Sequence, residues 1–419
     1  MIKKINNITL SIFVLGLVLS LSYVPVVSSC TIFSSVGKNT ADGNARLGQT
    51  NDGGQPMTRF AVGIFVNEKT GVKVIGAVNP LDSKKLISWS VGYPYRLNSA
   101  GVALTSAGRS AAFPPKGDGD KTIYGRDGNE IIQTARTAKE AIDLAEKVAK
   151  TGGVRIGSGG SRTYVDKNEA YLLEGYGPGE YAIIGPMKDV SYAHANTIVS
   201  PKLKHLEAYP MGFLRAKRAQ ELLDKRNWYS DSTPWREGQI TSPYLFRCLR
   251  DHKTGLDQTY LWDNTGNISN WGYDQISRWA YVCEISATHP DLLSIYWTTP
   301  NFPPFSPFIP FFIGLNKVPP AFEAGPANKT DVFQNLIRAI GYNMEAADKV
   351  QAFWEAFEIE TIREMRYVIN NAKALVKAGD MKGAEAQLYE FTNSKCELAV
   401  TYAQRLFDKV SEGTVNLEK

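Results

Sequence analysis

The chain has 419 residues, 43% hydrophobic and 21% charged, with a formal net charge of +5: room for one large domain or two, in ordinary globular proportions. No Lys/Arg block stands out in the body, which argues against nucleic acid as a partner. The four His and four Cys fall into no CxxC or HExxH spacing, so neither a metal nor another cofactor is expected.

Residues 1–29 read as a secretory leader. Lys3 and Lys4 start it, an apolar core runs from about Ile8 to Leu21, and Tyr23-Val24-Pro25 breaks the helix before the small residues Ser28 and Ser29. A secreted or extracytoplasmic protein is expected. Membrane contact would come only from an uncleaved leader, which is close to spanning length, or from a lipid. The lipid reading, a membrane-tethered non-catalytic binding protein with Cys30 lipidated, arises because Val27-Ser28-Ser29-Cys30 also fits a loose lipobox.

From Cys30 onward the sequence turns strand-like. Stretches 31–35, 61–66, 72–76, 86–91 and 102–105 are rich in β-branched and aromatic residues. Asn67-Glu68-Lys69-Thr70-Gly71 and Asp42-Gly43-Asn44 are turn sequences. A short apolar pattern at 131–135 then precedes a helix that opens on the capping box Thr137-Ala138-Lys139-Glu140. Strands return at 163–165, 170–174 and 181–184, helices at 211–223 and 243–249, and strands at 279–285 and 293–297. The second of those helices is expected to carry Ser242 as its cap and Pro243 in its first position. Blocks of strands and helices in this order make a layered α+β fold, not strict βαβ alternation.

Residues 301–320 are rich in Pro and Phe and read as a clamp strapped over the core, or else as a partly exposed aromatic wall beside a pocket. From Thr330 the pattern is helical, and Gly379-Asp380 divides a terminal hairpin that forms an appended packing layer. Cys248 and Cys283 could pair outside the cytoplasm, leaving Cys396 over, or all three could be buried free thiols. Asn267-Ile268-Ser269 and Asn328-Lys329-Thr330 are glycosylation acceptor patterns.

Cys30 stands directly after the leader and directly before a strand. If the Ser29–Cys30 bond is cut, this one residue carries a thiol with an ordinary pKa of about 8.5 and an α-amine of about 7.7–8.0. It then supplies both nucleophile and base, which an internal cysteine cannot do because its nitrogen is an amide.

The run from Cys30-Thr31 through Asp42-Gly43 to Gly48-Gln49-Thr50-Asn51-Asp52 resembles the start of the N-terminal-nucleophile cysteine hydrolases: the dipeptidase A, choloylglycine hydrolase and isopenicillin N acyltransferase types. Leu97-Asn98-Ser99-Ala100-Gly101, Tyr164-Val165-Asp166 to Glu174, Ala193-His194-Ala195-Asn196-Thr197, Arg215 to Leu222 and Leu249-Arg250-Asp251-His252 resemble later family segments in the same order. The resemblance implies a four-layer αββα sandwich over residues 30–326 with a helical extension over 327–419.

It also implies an amidase or peptidase that cleaves a linear C–N amide through a thioester, or an acyltransferase of the same class. The substrate is then a small peptide or N-acylated small molecule, and a homo-oligomer is expected. Cys30 is implied as nucleophile, with Asp52 accepting from its amine or thiol. Asn196 is implied as oxyanion donor, with Gly108 as a backbone donor. Arg215 would stabilise the site or bind a carboxylate, a role open also to Arg218. Gln49 and His194 complete the substrate side; Gln49 stands where the dipeptidase and bile-salt patterns have arginine, a charged contact that a neutral amide cannot reproduce.

Overall fold

The structure, a computed structural model, describes residues 30–53, 59–81, 95–108, 126–150, 160–177, 180–206, 212–224, 240–252, 257–258, 271–272, 276–341 and 344–412. The leader, the strand expected at 86–91 and the acceptor pattern at Asn267 lie outside the described residues.

The protein is mixed α+β, built on two largely antiparallel sheets. The first contains β1 (Ile32–Ser35), β2 (Ala45–Gly53), β10 (Ser191–His194), β11 (Asp257–Gln258), β12 (Trp271–Gly272), β13 (Ile276–Ile285), β14 (Ile295–Thr298) and β15 (Ile309–Phe312). The second contains β3 (Ala61–Val66), β4 (Lys73–Val78), β5 (Tyr95–Asn98), β6 (Ala103–Gly108), β7 (Gly160–Val165), β8 (Ala170–Gly177) and β9 (Glu180–Met187), hydrogen-bonded in chain order. In the first sheet β1 lies between β10 and β2, and β2 pairs along its length with β13.

The sheets face one another. Gln49 of β2 donates to the Ser106 carbonyl of β6 at 2.6 Å, and His194 of β10 meets Thr163 of β7 at 3.1 Å. Period-two alternation sends one set of side chains into this space and the other outward.

Outward from the second sheet lie α1 (Arg126–Ile132) and α2 (Ala138–Lys150). Their Ile131, Ile132, Ala141 and Ile142 bury against Val74, Leu104, Tyr164 and Leu173. The capping box is formed one residue out of step: Thr137 Oγ1 accepts from the Glu140 amide at 3.1 Å, while Glu140 Oε2 accepts from the Arg136 amide at 2.7 Å, not from Thr137. Asn98 ties this layer to the sheet. Its Oδ1 accepts from the Ala100 and Val102 amides across the turn, and its Nδ2 donates to the last carbonyls of α1 and its extension, Ile132 and Ala135, each at 2.8 Å.

On the first sheet pack α3 (Phe213–Asp224) and α4 (Ser242–Leu249). The cap of α4 is Thr241, one residue earlier than expected, because its hydroxyl reaches the Tyr244 amide at 3.2 Å. Ser242 is instead recruited to a buried network, donating to Glu284 at 2.5 Å and accepting from Arg46 at 2.9 Å. A single turn, α5 (Pro290–Leu293), precedes β14.

The Pro/Phe-rich stretch is a clamp: Phe302, Phe305, Phe308, Phe311 and Phe312 are all fully buried, so the exposed aromatic wall is excluded. Among the described residues its β15 pairs with β14 alone, and Pro310 is tolerated there because an edge strand has one side that needs no N–H donor.

Over the clamp lie α6 (Asp331–Ile340), α7 (Met344–Lys377) and α8 (Met381–Ser411). Gly379, at φ +84°, makes the break between the last two, and Asp380 caps α8 by accepting from the Gly383 amide at 2.8 Å. Trp354, Phe357 and Leu406 belong to the same apolar core as Ile32 and Trp297. All four cysteines are buried and none is in a disulfide, so Cys248 and Cys283 are not paired. Burial pushes the thiols of Cys248, Cys283 and Cys396 up, leaving them in the unreactive protonated form. Among the described residues no helix is long and apolar enough to cross a membrane.

Candidate active site

Cys30 is fully buried and sits two residues before Ile32. Its neighbour Thr31 is held on both sides. The Thr31 amide donates to Thr50 Oγ1 at 3.0 Å, and the Thr50 amide returns a bond to the Thr31 carbonyl at 3.0 Å. The Cys30 nitrogen therefore has a fixed position at the head of β1. It donates to Asn196 Oδ1 at 2.8 Å.

Three elements bring the polar residues there. In β2, Asp52 lies inside the strand opposite Ser277 of β13, so it is not the turn residue that Asn51-Asp52-Gly53-Gly54 could also encode. It is fully buried, accepting from Arg215 Nη1 at 3.0 Å and from Ser277 Oγ at 2.7 Å.

In α3, Arg215, Arg218, Ala219 and Leu222 recur at helical spacing and share the buried face. Arg215 is the one at the site: besides Asp52 it donates to Asn196 Oδ1 at 2.7 Å and to Thr31 Oγ1 at 3.4 Å. Arg218 is turned to Asp251, at 2.7 Å and 3.1 Å.

The third element is the segment after β10. Glu174 of β8 fixes it by accepting from the Val199 and Ser200 amides at 2.9 Å and 2.7 Å. This holds Asn196 with Oδ1 toward Arg215 and the Cys30 nitrogen, and Nδ2 toward the Gly108 carbonyl. The donors of Arg215 fix that orientation, since guanidinium can only donate. Gly108 thus enters through its carbonyl, an acceptor, where the sequence led to expecting its N–H.

Gln49 and His194 are buried between the sheets. Gln49 Oε1 accepts from Thr105 Oγ1 and from the Tyr281 hydroxyl, and Tyr281 also meets Thr105 at 2.7 Å. Burial pushes the Tyr281 phenol up, with Arg96 opposing, so it stays a protonated donor. His194 bonds Thr163 through Nε2 and lies 3.3 Å from the Ala195 carbonyl through Nδ1, the pattern of a satisfied core histidine.

Ser277, Tyr281, Thr105 and Arg278 are site-shaping residues that sequence reading missed; nothing in a strand sequence marks which rung will face a distant aspartate. Arg278 feels Asp52, but burial lowers its guanidinium below the ordinary value.

The Leu249-Arg250-Asp251-His252 segment serves packing. Arg250 pairs with Glu358 of α7 at 2.5 Å and 2.8 Å and donates to the Pro303 and Ser306 carbonyls of the clamp. Among the described residues no cluster of three or more His, Cys, Asp or Glu is placed to hold a metal ion.

Chemically, the arrangement is a buried thiol-bearing residue whose backbone nitrogen is gripped by an amide oxygen, backed by a compensated Arg–Asp pair. Compared with known proteins, the chain matches no family model and no curated protein.

Proposed function

We propose that the protein is an exported cysteine hydrolase of the N-terminal-nucleophile type, cleaving a linear amide of a dipeptide or N-acyl amino acid through a thioester on Cys30. The observation that carries this reading is the 2.8 Å bond from the Cys30 nitrogen to Asn196, whose oxygen Arg215 also holds at 2.7 Å. A buried backbone N–H needs an acceptor in any case; what favours the reading is that this acceptor is itself held by the buried Arg215–Asp52 pair, so it would hold a freed amine in the same place. Helices on the outer faces of two facing antiparallel sheets support the αββα sandwich that this class uses.

In this reading the Ser29–Cys30 bond is cut first. The freed amine takes the thiol proton, and sulfur adds to the substrate carbonyl. The tetrahedral intermediate collapses with loss of the C–N bond, and the proton passes from the amine to the leaving nitrogen. Water, deprotonated by the same amine, then splits the thioester to a carboxylic acid.

Asn196 orients the amine through Oδ1, and its Nδ2 is the donor for the oxyanion; an amide nitrogen carries two N–H bonds, so the Gly108 contact does not exhaust it. One such donor is typically worth about 2.7–4 kcal/mol. Asp52 keeps Arg215 in place. An acceptor amine in place of water would make the same enzyme an acyltransferase. Lipidation of Cys30 is disfavoured, because β1 follows directly with no polar tether.

The test is turnover of dipeptides and N-acyl amino acids by the processed protein and by Cys30→Ala. Loss of all turnover in the variant, with unchanged circular dichroism, is expected. Unaffected activity would refute the mechanism.

A further inference from the structure

Arg96 is a cation that the mechanism above does not use. It is 2% exposed, and among the described residues its Nη1 and Nη2 have no hydrogen-bond partner in the protein. A buried, uncompensated guanidinium is costly, so its retention calls for an explanation.

Its position is built by the backbone. Leu97 lies opposite Ile75 and Tyr95 opposite Gly76, which leaves Arg96 as the extra residue of a bulge in β5. A bulge re-aims a side chain, and here Arg96 turns toward the facing sheet. Its guanidinium carbon stands 5.2 Å from the centre of the Tyr281 ring, and its own carbonyl lies 3.6 Å from Cys283 Sγ.

Tyr281 connects this cation to the candidate nucleophile. Ile32, Gln49 and Tyr281 are successive rungs across β1, β2 and β13. Two strand spacings therefore separate the Cys30 strand from the ring under Arg96, about 10 Å. The Tyr281 hydroxyl senses both Arg96 and Cys30 electrostatically. A further unpaired polar group lies nearby: Asn51, on the same face of β2 as Gln49, has neither Nδ2 nor Oδ1 bonded among the described residues.

We propose that Arg96 anchors the free carboxylate of the amide substrate, so that the site selects N-acyl amino acids and dipeptides over neutral amides of the same size. The proposal rests on the hydrolase reading and narrows it. Cys30 lies two residues before the Ile32 rung of β1, so the gap a substrate would bridge is two strand spacings across the sheet and one two-residue repeat along it, about 12 Å. The planar fork of arginine matches a carboxylate in two parallel bonds.

The test is binding of acetate, N-acetylglycine and N-acetylglycinamide in a Cys30→Ala background, read from the thermal midpoint as ligand is raised. The two carboxylates should raise the midpoint and the neutral amide should not. Arg96→Met should weaken carboxylate binding by about tenfold to hundredfold and should itself melt no lower than the parent, since an uncompensated charge is removed.

Equal response of Arg96 and Arg96→Met proteins to both carboxylates would overturn the proposal. So would chloride matching acetate at equal concentration. If Arg96→Met does not fold, Arg96→Lys decides: weaker carboxylate binding supports the fork, and unchanged binding overturns it.

The two readings fail separately. Processed wild type that turns over no amide removes the hydrolase reading while the carboxylate titration still tests Arg96. Turnover of acids and neutral amides that Arg96→Met leaves unchanged removes the subsite alone.

Discussion

Gly212 shows how tightly the candidate site is set at the scale of single residues. It holds φ +78° just before α3, and a Cβ there would stand 2.6 Å from the Asn196 amide nitrogen. Gly379 has a similar φ of +84° with open space around it. Both Gly→Ala changes should cost about 1–3 kcal/mol of backbone strain. Only Gly212→Ala should also depress kcat, by pushing Asn196 off the Cys30 nitrogen; equal kinetics in the two variants would show that Asn196 placement is unimportant.

Asp52→Asn should be worse still. It leaves Arg215, 1% exposed, without its counter-charge, and breaking such a pair typically costs about 3–5 kcal/mol. Urea unfolding checks this, and a loss under about 1 kcal/mol would mean the pair behaves like a solvated one. Asp52, Asn196 and Arg215 were legible in the sequence because their residue types sit in recognisable segments. Arg96 and Tyr281 were not, since their meaning comes from a bulge and from a facing sheet.

Elements were legible where periodicity is strong. The hairpin of α7 and α8, the turn at Gly379-Asp380 and the strands β3 and β8 follow from apolar spacing and turn residues. The central strand β2 was hidden: Ala45–Gly53 is fully buried where described, and its polar run Gln49-Thr50-Asn51-Asp52 imitates a turn. Its strand character comes from pairing with β13, a contact more than two hundred residues away.

A buried ion pair ties α7 to Arg250 at the end of α4, which in turn holds the clamp. Glu358 accepts from Arg250 in two bonds and from the Phe308 amide at 2.7 Å, while Phe308 stacks on Phe246 at 4.1 Å between centroids. Glu358→Gln should therefore destabilise the whole protein by about 3–5 kcal/mol in a single cooperative unfolding transition. A separate early transition confined to α6–α8 would show instead that these helices melt on their own.

For the molecule as a whole, the proposed function turns on one covalent event, cleavage of the Ser29–Cys30 bond. Under the proposed function, the position of Cys30, the grip of Asn196 on its nitrogen and the Arg215–Asp52 support act in catalysis only once that nitrogen is an amine. The leader-like sequence before Cys30 supplies the expectation of cleavage. The thiols of Cys248, Cys283 and Cys396, pushed up by burial, offer no rival nucleophile. The most direct measurement is the intact mass of the exported protein. The account predicts the mass of residues 30–419 with an unmodified terminus; a chain that begins elsewhere, or one carrying an acyl group on its first nitrogen, would contradict it.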